Sequence, residues 1–328
     1  MHPASRLHGL DALRGIAALC VLALHVHAIY GGFPDLFGRA YLAVDFFFML
    51  SGFLMARTYG RRLAAGLGGT AFIALRYRRL WPTMAIGGAI GLIYLWDSTR
   101  NLPLFAALAL ANLALIPVSF QRELFPLNVP AWSVFLELLA NLVHGFWIWR
   151  LSERGLVWVA AIALIATLGF TVYFGTLDLG ARPESLIAGA ARALLSYTIG
   201  MILWHRWQSR APVAVPPLVA AAGLPGLVIL PSLLGIGHWS YDLAFVLIAC
   251  PLLLAGGLCF VRPSPLAVWL GNASFPLYAV HFAVLRQAQL MGFGRAAAIA
   301  AVLGITALVT LWTSRRQLPY GTAVKGGN

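Results

Sequence analysis

The chain has 328 residues, 61% of them hydrophobic and only 10% charged, with a mean hydropathy of +0.84. Soluble domains carry roughly 25% charged residues, so this composition excludes an ordinary water-soluble core and makes the bilayer the solvent. A formal charge of +13 would suit a nucleic-acid binder, but the basic residues are nearly all Arg, with Lys325 the single lysine, and they cap apolar runs as orienting charges at a membrane boundary do.

Apolar runs of about 17–23 residues recur along the chain, enough at ~1.5 Å per residue to cross a ~30 Å hydrocarbon layer. Helices are the expected form, because a lipid-exposed chain must satisfy its own backbone hydrogen bonds. The predicted spans are 13–31, 40–56, 80–96, 102–120, 131–149, 155–177, 185–204, 213–235, 241–261, 274–291 and 296–312. They make an all-α polytopic transmembrane bundle of about 10–11 spans, one membrane domain over 1–328 with no appended soluble domain.

The N-terminal 30 residues mimic a signal peptide, yet Asp11 and Arg14 precede the apolar stretch and no small-x-small site follows it, so a retained first helix is expected. Pro216, Pro217, Pro225 and Pro231 interrupt 213–235, and a re-entrant segment there would lower the count to ten. Between the second and third spans lie Arg57, Arg61, Arg62, Arg76, Arg78 and Arg79, which predicts a cytoplasmic connection and a cytoplasmic N-terminus. Arg315, Arg316 and Lys325 favour a cytoplasmic C-terminus and ten spans. Cys20, Cys250 and Cys259 lie in apolar runs without metal-like spacing, so neither a disulfide framework nor a metal site is expected.

Ionisable groups inside a membrane cost about 2.5–3.5 kcal/mol even on lenient scales, so each is a functional candidate. Arg14 and His25 on the first span are about three helical turns apart and share a face, one near the boundary and one deep. Asp11 precedes Arg14 by three residues and can hold its guanidinium. His27 points away and reads as a packing residue. Ser133, Glu137, Asn141 and His144 form a stripe on the fifth span, and Ser274, Tyr278 and His281 another on the tenth; each stripe could equally be interhelical hydrogen-bonding glue. Arg192 has no evident partner, and Asp45 lies within the second span. Arg76 and Arg79, three apart before Leu80-Trp81-Pro82, share a face and suit phosphate oxygens, unless they serve orientation alone.

Five segments together resemble the acyltransferase-3 family of membrane acyltransferases. They are Leu10-Asp11-Ala12-Leu13-Arg14 through His25; Asp45-Phe46-Phe47-Phe48-Met49-Leu50-Ser51-Gly52; Arg76-Tyr77-Arg78-Arg79; Trp132-Ser133 with Glu137; and Gly271-Asn272-Ala273-Ser274 through Tyr278 and His281. Phe275 departs from the family's Tyr, and Gln317-Leu318-Pro319 stands where a Glu-x-Pro is usual.

The resemblance implies an O-acyltransferase of the bacterial inner membrane. It would move an acyl group, acetyl first, from acyl-CoA as co-substrate to a hydroxyl of a cell-envelope glycan, glycolipid or related small acceptor. Arg14, Arg76 and Arg79 are then expected to bind the donor. His25 is expected to act as general base or transient acyl carrier, with Glu137 and Asp45 as secondary catalytic candidates. Asp11, Ser51, Trp132, Ser133, Ser274, Tyr278 and His281 are expected as substrate or structural support. The rival from another class is a secondary transporter using intramembrane His, Glu and Asp; the arginine pair and the lack of paired repeats argue against it.

Overall fold

The computed structural model describes residues 6–32 and 35–317. Among these residues the structure is helical, with no strand. The helices are α1 (His8–Tyr30), α2 (Ala43–Ala64), α3 (Gly69–Thr99), α4 (Leu102–Leu113), α5 (Ala131–Phe146), α6 (Glu153–Phe174), α7 (Leu186–Ser209), α8 (Pro217–Leu234), α9 (Trp239–Ala244), α10 (Cys250–Cys259), α11 (Pro265–Leu290) and α12 (Arg295–Gln317). Eight helical segments are long and apolar enough to cross a membrane, namely α1, α2, α6, α7, α8, the α9–α10 run, α11 and α12. The protein is therefore an integral membrane helix bundle.

Several predicted boundaries move, each for a local reason. The arginines at 57–79 do not form a loop. α2 runs on to Ala64 and α3 begins at Gly69, so helix continues past the apolar stretch and presents the guanidinium groups on ordered backbone. The span predicted at 102–120 stops at Leu113. Leu115 takes a positive φ of 58°, and Pro117 disfavours helix at the residue before it.

Residues 114–130 then lie against the bundle without regular helix. Their backbone is satisfied by long-range partners: Leu127 N–H donates to the Asn112 side chain at 3.1 Å, and Leu124 N–H to the Ala181 carbonyl at 3.0 Å. α5 is accordingly 16 residues, shorter than the predicted 131–149. The 213–235 segment is a continuous helix over Pro217–Leu234 despite Pro225 and Pro231 inside it. In the span predicted at 241–261, a π-helical turn at Phe245–Ala249 precedes Pro251, whose missing N–H prevents the regular ladder there.

Two helix pairs form the centre. α1 packs along α11 and α2 along α7. α1 and α11 run parallel, since Arg14 meets Ser274, His25 meets His281, and the Gln289 amide donates to the Ile29 carbonyl. α2 and α7 approach almost backbone to backbone. A Cβ on Gly52 would stand 1.9 Å from the Tyr197 carbonyl oxygen, and one on Gly200 would stand 2.0 Å from that of Met49. Small residues permit this closeness where lipid offers no hydrophobic drive between helices.

Candidate functional site

The ends of the bundle that carry the arginines enclose a cavity of about 460 Å³ between α1, α2, α3, α5 and α11. Five guanidinium groups line it, from Arg6, Arg14, Arg57, Arg76 and Arg79, against two carboxylates, Asp11 and Glu137. That imbalance inside low-dielectric walls favours an anion. Arg6 and Arg57 are additions that sequence spacing did not single out. Arg6 Nε donates to Asp11 at 2.6 Å and its Nη2 to Asn272 at 2.8 Å, so Asp11 is held more closely by Arg6 than by Arg14, which stands 3.5 Å away.

Arg14 is fixed by α11. Its Nε donates to Ser274 Oγ at 2.8 Å, its Nη2 donates to the Gly271 carbonyl, and Ser274 Oγ in turn donates to that same carbonyl. Arg76 is different. It is only 4% exposed, and Nη2 donates to Glu137 Oε1 at 2.9 Å, where Ser51 Oγ also donates at 2.7 Å. Its Nε and Nη1 are buried with no hydrogen-bond partner among the described residues. A buried, unsatisfied guanidinium is costly, and the cavity it faces supplies a place for acceptor oxygens. Arg79, one turn on along α3, lines the same cavity from a more exposed position.

The cavity ends on Tyr278, Ser133 and Phe47. Tyr278 and Ser133 hydroxyls are 2.6 Å apart, and the Phe47 ring meets Tyr278 edge-on at 5.8 Å. Beyond Tyr278 lies His281, 5.8 Å between ring centroids, and beyond His281 lies His25. His25 is therefore deep and faces α11 as Arg14 does, as expected, but it is not among the residues lining the arginine cavity. Its Nδ1 lies 2.9 Å from the Val21 carbonyl and 3.2 Å from His281 Nε2. No described residue hydrogen-bonds its Nε2.

Other predicted residues sit elsewhere. Arg192, expected to be isolated, forms a buried ion pair with Asp45 at 2.6 Å, the two being 1% and 0% exposed. Ser196 also donates to Asp45, and the Arg192 guanidinium further donates to the Leu179 and Tyr41 carbonyls. Asp45 is thus consumed by α7, and it does not line the cavity among the described residues. Trp132 covers this pair, its ring 5.9 Å from the Arg192 guanidinium. The α5 stripe divides: Ser133 and Glu137 face the cavity, whereas Asn141 and His144 bond to Tyr197 as interhelical glue. His27 Nε2 lies 4.0 Å from the Asp35 carboxylate, away from the cavity. The 317–319 segment extends outside the described residues.

A membrane helix bundle with an anion-suited cavity at one end and a deep histidine on the axis beyond it defines the class of site. The acyltransferase-3 family model, described as an acyltransferase domain, matches residues 7–315, and the chain belongs to that family. It is 33% identical to "Protein 2 in picA locus" of Rhizobium radiobacter over half of this chain and 93% of that protein. It is 27% identical to the exopolysaccharide production protein ExoZ of Rhizobium meliloti over 80% of this chain and 84% of that one. Staphylococcus aureus proteins named, provisionally, as O-acetyltransferases are 26% identical over 84% of this chain, and the match spans half of their length. No solved structure gives a significant match.

Proposed function

We propose that this acyltransferase moves an acyl group, acetyl first, from acyl-CoA to a hydroxyl of a cell-envelope glycan or glycolipid. It would act in a bacterial inner membrane with its arginine end in the cytoplasm. The observation that carries this reading is Arg76: a buried guanidinium with two donor nitrogens unspent, in a cavity of five arginines, suits the phosphates of a CoA ester. Support for the acceptor comes from the relatives, one named for exopolysaccharide production and others for O-acetyl transfer.

The chemistry follows from the order of groups along the axis. Phosphates held by Arg14, Arg76 and Arg79 leave the pantetheine arm to run toward Tyr278. For the thioester to meet His25, the Phe47 and Tyr278 rings must part, and what holds Tyr278 is its hydroxyl contacts with Ser133 and the Pro130 carbonyl and its ring contacts with Phe47 and His281, about 1 kcal/mol each. His25 Nε2 then takes the proton of the acceptor hydroxyl while its oxygen attacks the thioester carbon, a role worth about 10²–10⁴ in rate. CoA leaves as thiolate. Glu137, bound by Arg76 and Ser51, competes with the donor phosphates for that guanidinium and takes no proton in this scheme.

The test is CoA thiol release from acetyl-CoA by the purified protein in nanodiscs, beside His25→Ala. Saturable release in wild type, lost in His25→Ala while both proteins bind donor alike, is expected. Release unchanged in His25→Ala would remove the histidine from the mechanism, and failure of wild type to bind or consume acyl-CoA would overturn the reading.

A further inference from the structure

Two histidines 256 residues apart share one hydrogen, and the backbone around them decides which nitrogen owns it. His281 Nδ1 lies 2.8 Å from the Tyr278 carbonyl and 3.0 Å from that of Leu277. A carbonyl oxygen only accepts, so Nδ1 carries the hydrogen, and in a neutral ring Nε2 is then a bare lone pair. His25 Nδ1, 2.9 Å from the Val21 carbonyl, carries its hydrogen by the same logic. His25 Nδ1 therefore donates its single hydrogen into a three-centre bond, with the Val21 carbonyl accepting at 2.9 Å and His281 Nε2 accepting at 3.2 Å. Following the chain outward, the one lone pair left over is Nε2 of His25. The rings meet edge-on at 4.9 Å, and Phe282 braces the His25 ring at 5.4 Å.

We infer that His281 is a positioning residue for acyl transfer, acting through His25; this rests on the reading of His25 as the base. Together with the Val21 carbonyl it accepts the Nδ1 hydrogen, so that Nε2 of His25 stays bare and aimed, and, unlike that carbonyl, it can take up part of the positive charge that forms when Nε2 is protonated. In that step the acceptor O–H bond breaks and its proton goes to Nε2. The oxygen's electron pair forms the new C–O bond, and the C–S pair leaves on the CoA thiolate. The Nδ1 proton of His25 shifts toward His281 Nε2, while the Leu277 and Tyr278 carbonyls, accepting from His281 Nδ1, stabilise the charge arriving there. A carboxylate does this beside the histidine of hydrolase triads. Here a neutral acceptor serves, which is less costly to bury in a membrane than an ionised acid.

Two measurements decide it. With ¹⁵N-histidine-labelled wild type in nanodiscs, magnetic resonance should show protonated Nδ1 on both rings and a nitrogen–nitrogen coupling between His25 Nδ1 and His281 Nε2. A His281 protonated on Nε2, or no coupling, overturns the proposal. This needs no donor, so it stands or falls apart from the acyl-CoA reading. In the turnover assay, His281→Leu should lower kcat about 10- to 100-fold with the KM for acyl-CoA nearly unchanged. His281→Gln, whose amide oxygen can accept where Nε2 does, should recover a clear part of that loss. Equal losses in both variants, or a KM effect in place of kcat, would leave His281 as packing only.

Discussion

Arg192 and Arg76 are both buried guanidinium groups in a membrane protein, 1% and 4% exposed, yet their surroundings differ in kind. Each of the three Arg192 nitrogens finds an acceptor among Asp45, Leu179 and Tyr41. Among the described residues Arg76 spends only Nη2, on Glu137, and leaves Nε and Nη1 without partners. The first arrangement is closed and ties α2 to α7. The second is open, and it opens onto a cavity. Burial of a charge alone therefore does not mark a site; unspent hydrogen-bonding capacity beside space for a ligand does.

The largest effect is expected on removing one member of the closed pair. Arg192→Leu strands the Asp45 carboxylate, and losing one partner of a buried ion pair costs about 3–5 kcal/mol. The variant should unfold at much lower temperature or fail to accumulate in membranes, whereas Asp45→Leu with Arg192→Met should recover much of the loss, because hydrophobic replacement of a whole buried pair is often neutral. Thermal unfolding in detergent reads both. A single variant as stable as wild type would mean that Asp45–Arg192 is not the structural tie described here.

A smaller effect is expected at the open site. Glu137→Gln removes the anion that competes with phosphate for Arg76, so CoA affinity should rise a few-fold, with stability changed by about 1 kcal/mol or less. Weakened donor binding would show that Glu137 positions Arg76 more than it competes for it. Ser51→Ala, deleting one hydrogen bond to Glu137, should be the mildest, with donor affinity shifted about twofold or less and the melting temperature nearly unchanged. Titration of CoA by calorimetry distinguishes all three outcomes.

Much of the arginine cavity and of the histidine pair beyond it was legible in the sequence because these residues recur on helix faces: Arg14 with His25 on α1, Arg76 with Arg79 on α3, and Ser274, Tyr278 and His281 on α11. Periodicity reports which residues share a face, and those faces do converge. It does not report which face meets which. Asp45 and Arg192 are 147 residues apart, and His25 and His281 are 256 apart, so those pairings follow only from how α2 meets α7 and α1 meets α11. The stripe on α5 reads as one feature in sequence, yet it divides between cavity and packing because Tyr197 of α7 approaches only its second half. The helix at 102–113 ends early at a positive-φ Leu115 ahead of Pro117, and the returning backbone at Leu127 is satisfied by Asn112 in the last turn of that helix, a long-range pairing that apolar run length conceals.

On the proposed reading the open guanidinium groups hold the phosphates of an acyl-CoA, and lysine substitution separates that role from helix orientation. Lysine at both Arg76 and Arg79 keeps the charge that orients the helices and gives up the planar fork that binds phosphate bidentately. The measurement is a donor titration of wild type and the Arg76→Lys, Arg79→Lys double variant, with cysteine accessibility along 57–79 as the control for topology. A KM for acyl-CoA raised about tenfold or more with unchanged topology is expected. An unchanged KM with unchanged topology would contradict the account and leave these arginines as orientation signals alone.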